Sequence, residues 1–175
     1  GVIFATNVFN MLAGYNGLEA GMGIIILSTL AFVIFRAGAF WVSVLALTVA
    51  VSLLAFLVFN KYPAKIFPGD TFTYSVGAFI AAIAIIGNAE TAALILALPY
   101  FAEFFLKARG RFKKESFAKL QKDGSLDMPY TQIYSLTHEK IWLLKKLKGK
   151  VYEKDIVYAL WATEIFLALI VIFFI

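Results

Sequence analysis

The sequence predicts an all-α protein, a polytopic bundle of transmembrane helices with one long basic loop. Three observations predict it. The chain of 175 residues is 62% hydrophobic and only 15% charged, with a mean hydropathy of +0.84, so a soluble fold would lack the polar surface to cover its core. Its apolar residues gather into six runs, at 1–13, 20–35, 40–59, 71–89, 91–106 and 156–175, several of them near the ~20 residues that a helix needs to cross a bilayer. Of the 16 Lys and Arg residues, all but Arg36 fall in connections that alternate onto one side of those runs.

The first run, 1–13, forms a partial span; no basic segment precedes it, so it is not a signal peptide. The run 20–35 is short and needs its flanks to complete a span, 40–59 and 71–89 are full-length, and 91–106 contains Pro99, which should kink it. With 156–175 these make five full spans and one partial span in a single domain, residues 1–175. Connections 14–19, 60–70 and 107–155 then share one side, and 36–39 and 87–90 the other. The cation asymmetry places the first side in the cytoplasm, so any site built from the three longer connections opens there.

The loop 107–155 has internal structure. "KARGRFKK" (107–114) is a juxtamembrane basic cluster suited to membrane lipids. "KDGSLDMPY" (122–130) carries an Asp-Gly turn signal and is expected to hold a short hairpin. Residues 135–150 place Leu136, Ile141, Trp142, Leu144 and Leu147 roughly on one face with lysines around the other, the pattern of an amphipathic interfacial helix, ended by Gly149. His138, the one histidine, is read as part of that interfacial helix.

The absence of cysteine excludes disulfides, thiolate metal sites and cysteine nucleophiles. The remaining polar residues each admit two readings. Asp70 follows Pro68-Gly69 and opens a span, as a helix N-cap worth about 1 kcal/mol or as a carboxylate for a hard cation such as Mg²⁺. Asn10, on the same helix face as Asn7, is either interhelical glue or a second oxygen for that cation. Arg109 and Arg111 anchor a helix end or grip phosphate bidentately. Phe67 anchors its loop in the interface or stacks on a base. Glu103 is expected to pair with a nearby cation, whereas Glu164, halfway along the last span, has no evident partner. Enzyme and transporter both remain open on these residues.

The stretch "TNVFNMLAGYNGLEAGMG" (6–23) resembles the signature loop of the polyprenyl-phosphate N-acetylhexosamine-1-phosphate transferases, glycosyltransferase family 4, and most of all the archaeal and eukaryotic branch acting on UDP-GlcNAc and dolichyl phosphate. "YPAKIFPGDTFTYSVGA" (62–78) and "ARGR" (108–111) resemble two further motifs of that family, in order and on one face. The resemblance implies transfer of a sugar 1-phosphate from a UDP-sugar donor to a polyprenyl or dolichyl phosphate acceptor with release of UMP. It implies that Asn10 and Asp70 hold Mg²⁺, with Mn²⁺ as an alternative, that Asn16 and Phe67 contact the uracil, and that Arg109 meets the pyrophosphate and Arg111 the sugar. It also implies a homodimer as a candidate assembly, no nucleic-acid partner, and a plasma-membrane or endoplasmic-reticulum location according to an archaeal or eukaryotic source.

Two departures stand out. Gly110 occupies the place of the family's histidine between the arginines, and no Asp-Asp pair occurs, since Asp70, Asp123, Asp127 and Asp155 are all isolated. Family members carry that pair in an amino-terminal half. The chain is therefore expected to be a carboxy-terminal half and inactive alone. The competing reading is a small non-catalytic transporter, or a half-protein that binds a nucleotide sugar.

Overall fold

The computed structural model describes residues 1–175. The chain forms eight helices and one two-stranded hairpin: α1 (Val2–Met11), α2 (Leu18–Arg36), α3 (Phe40–Asn60), α4 (Asp70–Ile86), α5 (Glu90–Leu96), α6 (Leu98–Arg109), β1 (Lys119–Leu120), β2 (Leu126–Asp127), α7 (Leu136–Lys148) and α8 (Glu153–Phe174). Every apolar run becomes helical. Only α2, α3 and α8 are individually long and apolar enough to cross a membrane, and α5 with α6 makes a fourth candidate. This is fewer than the five full spans and one partial span expected. The run 71–89 gives its last residues to a turn at Gly87–Ala89, so α4 has 17 residues, and α1 has 10.

The expected kink is present: α5 and α6 meet at Ala97 with a 52° bend. Pro99 sits in the first turn of α6, where its missing N–H would have had no helical acceptor and its fixed φ suits the start of a helix.

α2 is the hub, packing on α3, α4, α5 and α8. It buries Leu18, Met22, Leu27, Leu30 and Ile34 almost completely. Glycines set two of the closest approaches. A side chain at Gly21 would run into the Trp161 indole of α8, and one at Gly77 of α4 would lie 2.8 Å from the Ala5 carbonyl and 2.9 Å from the Thr6 Cα of α1. Close backbone approach through small residues is how helices associate in lipid, where no hydrophobic force separates helix from tail. The outer faces of α3 and α8 expose Trp41, Val51, Leu54, Val58, Ile165 and Phe166, as a hydrocarbon solvent requires.

Connections gather at two ends. At one end Arg36 donates to the Ile172 carbonyl of α8 at 3.3 Å, a cation at a helix C-terminus. At the other, loops 12–17, 61–69 and 110–152 interlock through side chains described below. The hairpin forms where the Asp-Gly signal lies, with Lys119 opposite Asp127 and Gly124 at φ +78°. α7 begins at Ser135, whose hydroxyl accepts from the Thr137 N–H, and ends at Gly149, φ +79°. Of its expected apolar face, Ile141 is buried and Leu136 and Leu144 pack on the core. Thr137, His138 and Ile141 are buried, while Trp142, Leu143 and Leu147 are exposed, so His138 is a core residue rather than an interfacial one.

Candidate functional site

The loop between α1 and α2 is held by three side-chain oxygens, one from Glu19 nearby and two, from Glu153 and Asn60, remote in sequence. Gly14 N–H donates to Glu19 Oε1 at 2.5 Å, Asn16 N–H to Glu153 Oε1 at 2.7 Å, and Gly17 N–H to Asn60 Oδ1 at 3.1 Å. Gly14 and Gly17 have φ of +117° and +85°, conformations that favour glycine. Tyr15 points down from the loop, with its hydroxyl accepting from Ala118 N–H at 3.0 Å. Burial pushes its phenol up to about 12, and the nearby Glu153 carboxylate adds to the rise.

Asn60, the last residue of α3, is fully buried. Its Nδ2 donates to the Ile66 carbonyl at 2.9 Å while its Oδ1 takes the Gly17 N–H. One amide thus ties the Asn16 loop to the loop that carries Phe67, whose ring is 70% exposed. Both residues expected at the base-binding side are positioned through it, although they do not touch each other in any recorded hydrogen bond.

Asn10 and Asp70 are brought to one place by the packing of α1 on α4. Thr73 Oγ1 donates to Asn10 Oδ1 at 2.5 Å and is also 3.1 Å from the Asp70 carbonyl oxygen, and Asn10 Nδ2 donates to the Tyr74 hydroxyl at 3.3 Å. Gly69, not Asp70, occupies the cap position of α4; Asp70 is the first helical residue and its carboxylate makes no hydrogen bond within the chain. The cap reading of Asp70 therefore falls, because the carboxylate lies one residue too far into the helix to accept from its first turn. No cluster of three or more His, Cys, Asp or Glu exists. The available donors, one free carboxylate and one amide oxygen, fit a hard cation that takes its other ligands from substrate phosphates and water; they do not make a closed protein cage.

The arginines lie apart from this pair. Arg109 donates to Gln132 Oε1 at 3.1 Å and stands 5.9 Å from the centre of the Tyr134 ring. Arg111 is exposed, with φ +54°, in the turn that follows α6. Gly110 is buried between them, with Lys114 and Tyr134 against its Cα.

What does face Asn10 is a polar cleft of about 520 Å³ lined by Asn10, Lys107, Lys113, Lys114, Glu115 and Ser116, among others. Two of its lining residues, Ser116 and Lys107, are partners of Glu103, which is fully buried. Glu103 accepts from Ser135 Oγ at 2.9 and 3.0 Å, from Leu136 N–H at 2.7 Å and from Ser116 Oγ at 3.4 Å, with Lys107 Nζ at 3.9 Å. The expected pairing of Glu103 with a cation is present, and hydrogen bonds to the loop outnumber it. His138 accepts from Tyr134 N–H through Nδ1 at 3.3 Å, and its pKa is lowered by burial and by the Lys107 charge.

Asn60, Glu153 and Glu103 were not singled out by the sequence as site-builders. Asn60 and Glu153 are polar residues at the ends of apolar helices and Glu103 lies midway along α6; such positions are common and select none of them.

Comparison with known proteins adds the following. The profile of glycosyl transferase family 4 matches residues 1–88, the half that carries Asn10, Asn16, Phe67 and Asp70. A Saccharolobus solfataricus protein provisionally named UDP-N-acetylglucosamine–dolichyl-phosphate N-acetylglucosaminephosphotransferase is 46% identical over 169 residues, 95% of this chain and 51% of that one. Its namesake from Sulfolobus acidocaldarius is 42% identical over 170 residues, 96% and 50% of the two chains. A Bacillus subtilis protein, provisionally named undecaprenyl-phosphate N-acetylglucosaminyl 1-phosphate transferase, is 30% identical over 180 residues, 98% and 49%. The chain spans about half the length of these relatives.

Proposed function

Because the chain belongs to glycosyl transferase family 4, we propose that it supplies the donor side of a membrane phospho-sugar transferase. That enzyme would move N-acetylglucosamine 1-phosphate from UDP-GlcNAc to a dolichyl or other polyprenyl phosphate and release UMP. The observation that carries the reading is the juxtaposition of Asn10 with the first turn of α4, through the Thr73 hydroxyl that bonds both Asn10 Oδ1 and the Asp70 backbone.

In this reading Asp70 and Asn10 would hold Mg²⁺, which would supply positive charge to offset the donor's diphosphate. Asp70 is free to do so because its carboxylate has no partner in the chain, and its place at a helix start leaves it open on the loop side. The Thr73 hydroxyl fixes the Asn10 amide by donating to its Oδ1, beside the first turn of α4. Phe67 offers an exposed ring for the uracil, and Asn16, half-buried and fixed through its backbone by Glu153, offers an amide to the base edge. Arg109 and Arg111 would take the pyrophosphate and the sugar; Arg109 must first leave Gln132, a single exposed hydrogen bond. Phosphoryl transfer needs positioning and charge neutralisation above all, and these residues supply both. The active face is cytoplasmic in this reading, since 15 of the 16 Lys and Arg residues cluster at that end of the bundle. The segment given is expected to be inactive alone.

The test is made in the intact protein, with labelled UDP-GlcNAc and a polyprenyl phosphate. Asp70→Asn removes one metal ligand charge without removing a cap, so it should lower Mg²⁺-dependent transfer by at least about 100-fold, the rate equivalent of about 3 kcal/mol. Near-normal Mg²⁺-dependent transfer by that variant, with melting unchanged, would refute the metal assignment.

A further inference from the structure

We infer that the cleft beside Asn10 is a phosphate-binding subsite whose cations are Lys107, Lys113 and Lys114. The source of the phosphate, donor or lipid acceptor, rests on the function proposed above; the chemistry of the cleft does not.

Three features of the cleft point this way. Its lining is one-sided in charge, with Lys107, Lys113 and Lys114 against the single acid Glu115, and Asn10 adds an amide. Its shape is fixed before any ligand arrives. Lys107, with its side chain only 13% exposed, is held between Glu103 Oε1 at 3.9 Å and the Lys114 carbonyl at 3.2 Å. The Ser116 carbonyl at the cleft edge accepts from Thr137 Oγ1 at 2.7 Å, and the Ser116 hydroxyl donates to Glu103. Finally, Lys114 is oriented by the Tyr130 ring, 4.7 Å from its Nζ, while Lys113 is exposed and unpaired.

A half-buried lysine beside two further lysines is costly to assemble unless an anion offsets the repulsion. Glu103 offsets Lys107 alone, because its oxygens are otherwise consumed by Ser135, Leu136 and Ser116. Neither Lys113 nor Lys114 has a carboxylate partner. Lysines bind phosphate as point charges, and a cleft that they share with Asn10 would place that phosphate next to the proposed metal. The arginines at 109 and 111 do not line this cleft.

The experiment uses the intact protein in nanodiscs of zwitterionic lipid, so that anionic headgroups do not compete. Binding of UMP and UDP-GlcNAc forms one arm, binding of a short-chain polyprenyl monophosphate the other, and uridine is the phosphate-free control. The variant Lys113→Gln/Lys114→Gln should weaken at least one arm by about tenfold or more, an effect that shrinks at high salt. Uridine binding should not change, Lys113→Arg/Lys114→Arg should restore the affinity, and Lys119→Gln/Lys122→Gln on the hairpin should have no effect. The arm that weakens identifies the source of the phosphate. If both arms stay within about twofold of wild type, the subsite is refuted even if transfer activity is intact. If lipid phosphate binds in a lysine-dependent way but neither UDP-GlcNAc nor uridine binds, the donor reading fails and the subsite stands. A wild-type protein that binds none of these probes overturns both.

Discussion

Glu103 and Ser135 are joined through both carboxylate oxygens, at 2.9 and 3.0 Å, across 32 residues of chain. Ser135 is also the N-cap of α7, so one buried carboxylate on the bent helix pair fixes where the loop helix begins. The same carboxylate also bonds Ser116 and pairs with Lys107, two residues that line the lysine cleft.

Replacing Glu103 should therefore loosen the whole loop rather than one bond. Glu103→Ala leaves the Leu136 N–H and the Ser116 hydroxyl without an acceptor and the Ser135 hydroxyl with only Thr137 Oγ1. At about 1–3 kcal/mol for each buried group left unsatisfied, the loss should be at least about 2 kcal/mol. Thermal melting in detergent and faster tryptic cleavage between Lys113 and Lys122 would register it.

Gly77 should be intolerant of any side chain for a functional reason. A methyl group there meets the backbone of α1 at Ala5 and Thr6, which cannot rotate away as a side chain could. Gly77→Ala should cost about 1–3 kcal/mol and, by moving α1 off α4, separate Asn10 from Thr73 and Asp70. The expected signature in the intact protein is a raised Mg²⁺ requirement with a smaller change in UDP-GlcNAc affinity.

At Asn60 the two halves of the amide do different jobs, and two variants separate them. Asn60→Ala loses both bonds and should cost about 2–4 kcal/mol. Asn60→Asp keeps an acceptor for the Gly17 N–H but sets a carboxylate oxygen against the Ile66 carbonyl. Both should raise the KM for UDP-GlcNAc, and Asn60→Gln should not rescue it, because the extra methylene cannot fit a fully buried site.

The loop should soften in mild acid. Burial and the Lys107 charge hold His138 below its usual value of 6.5, so the unfolded chain binds a proton more readily than the folded one. The His138 contribution is complete above pH ~6.5 and is lost as pH falls from there toward the lowered folded-state value. Proteolytic protection of residues 110–150 should fall over that window in wild type. In His138→Phe the pH dependence should flatten; an unaltered acid dependence in that variant would remove histidine as the cause.

Periodic and punctuated features were legible in the sequence. The six apolar runs, the break near Pro99, the Asp123-Gly124 turn and the stop at Gly149 all appear where residue types alone place them. Residues selected by packing were not. Ile141, Leu136 and Leu144 of the apolar face of α7 do pack on the core and Trp142 and Leu147 stay exposed, but nothing local shows that Thr137 and His138 are buried beside them. Asp70 reads as a cap because it follows Pro-Gly, and the helix starts one residue earlier than that reading needs. The partners of the Asn16 loop were out of reach for another reason: Glu153 lies 137 residues away and Asn60 lies 43 residues from Gly17. No local pattern announces a bond across such distances.

The loop at Gly14–Gly17 also bears on the thermodynamics of ligand capture. Three of its backbone donors are already occupied by Glu19, Asn60 and Glu153, so it is not a nest of free amides waiting for an anion. Its conformational entropy is surrendered when the helices assemble, not when a nucleotide arrives. Recognition at this loop then falls to side chains projecting from a stiff platform, and affinity there should respond to a change of side chain far more than to a change of backbone mobility.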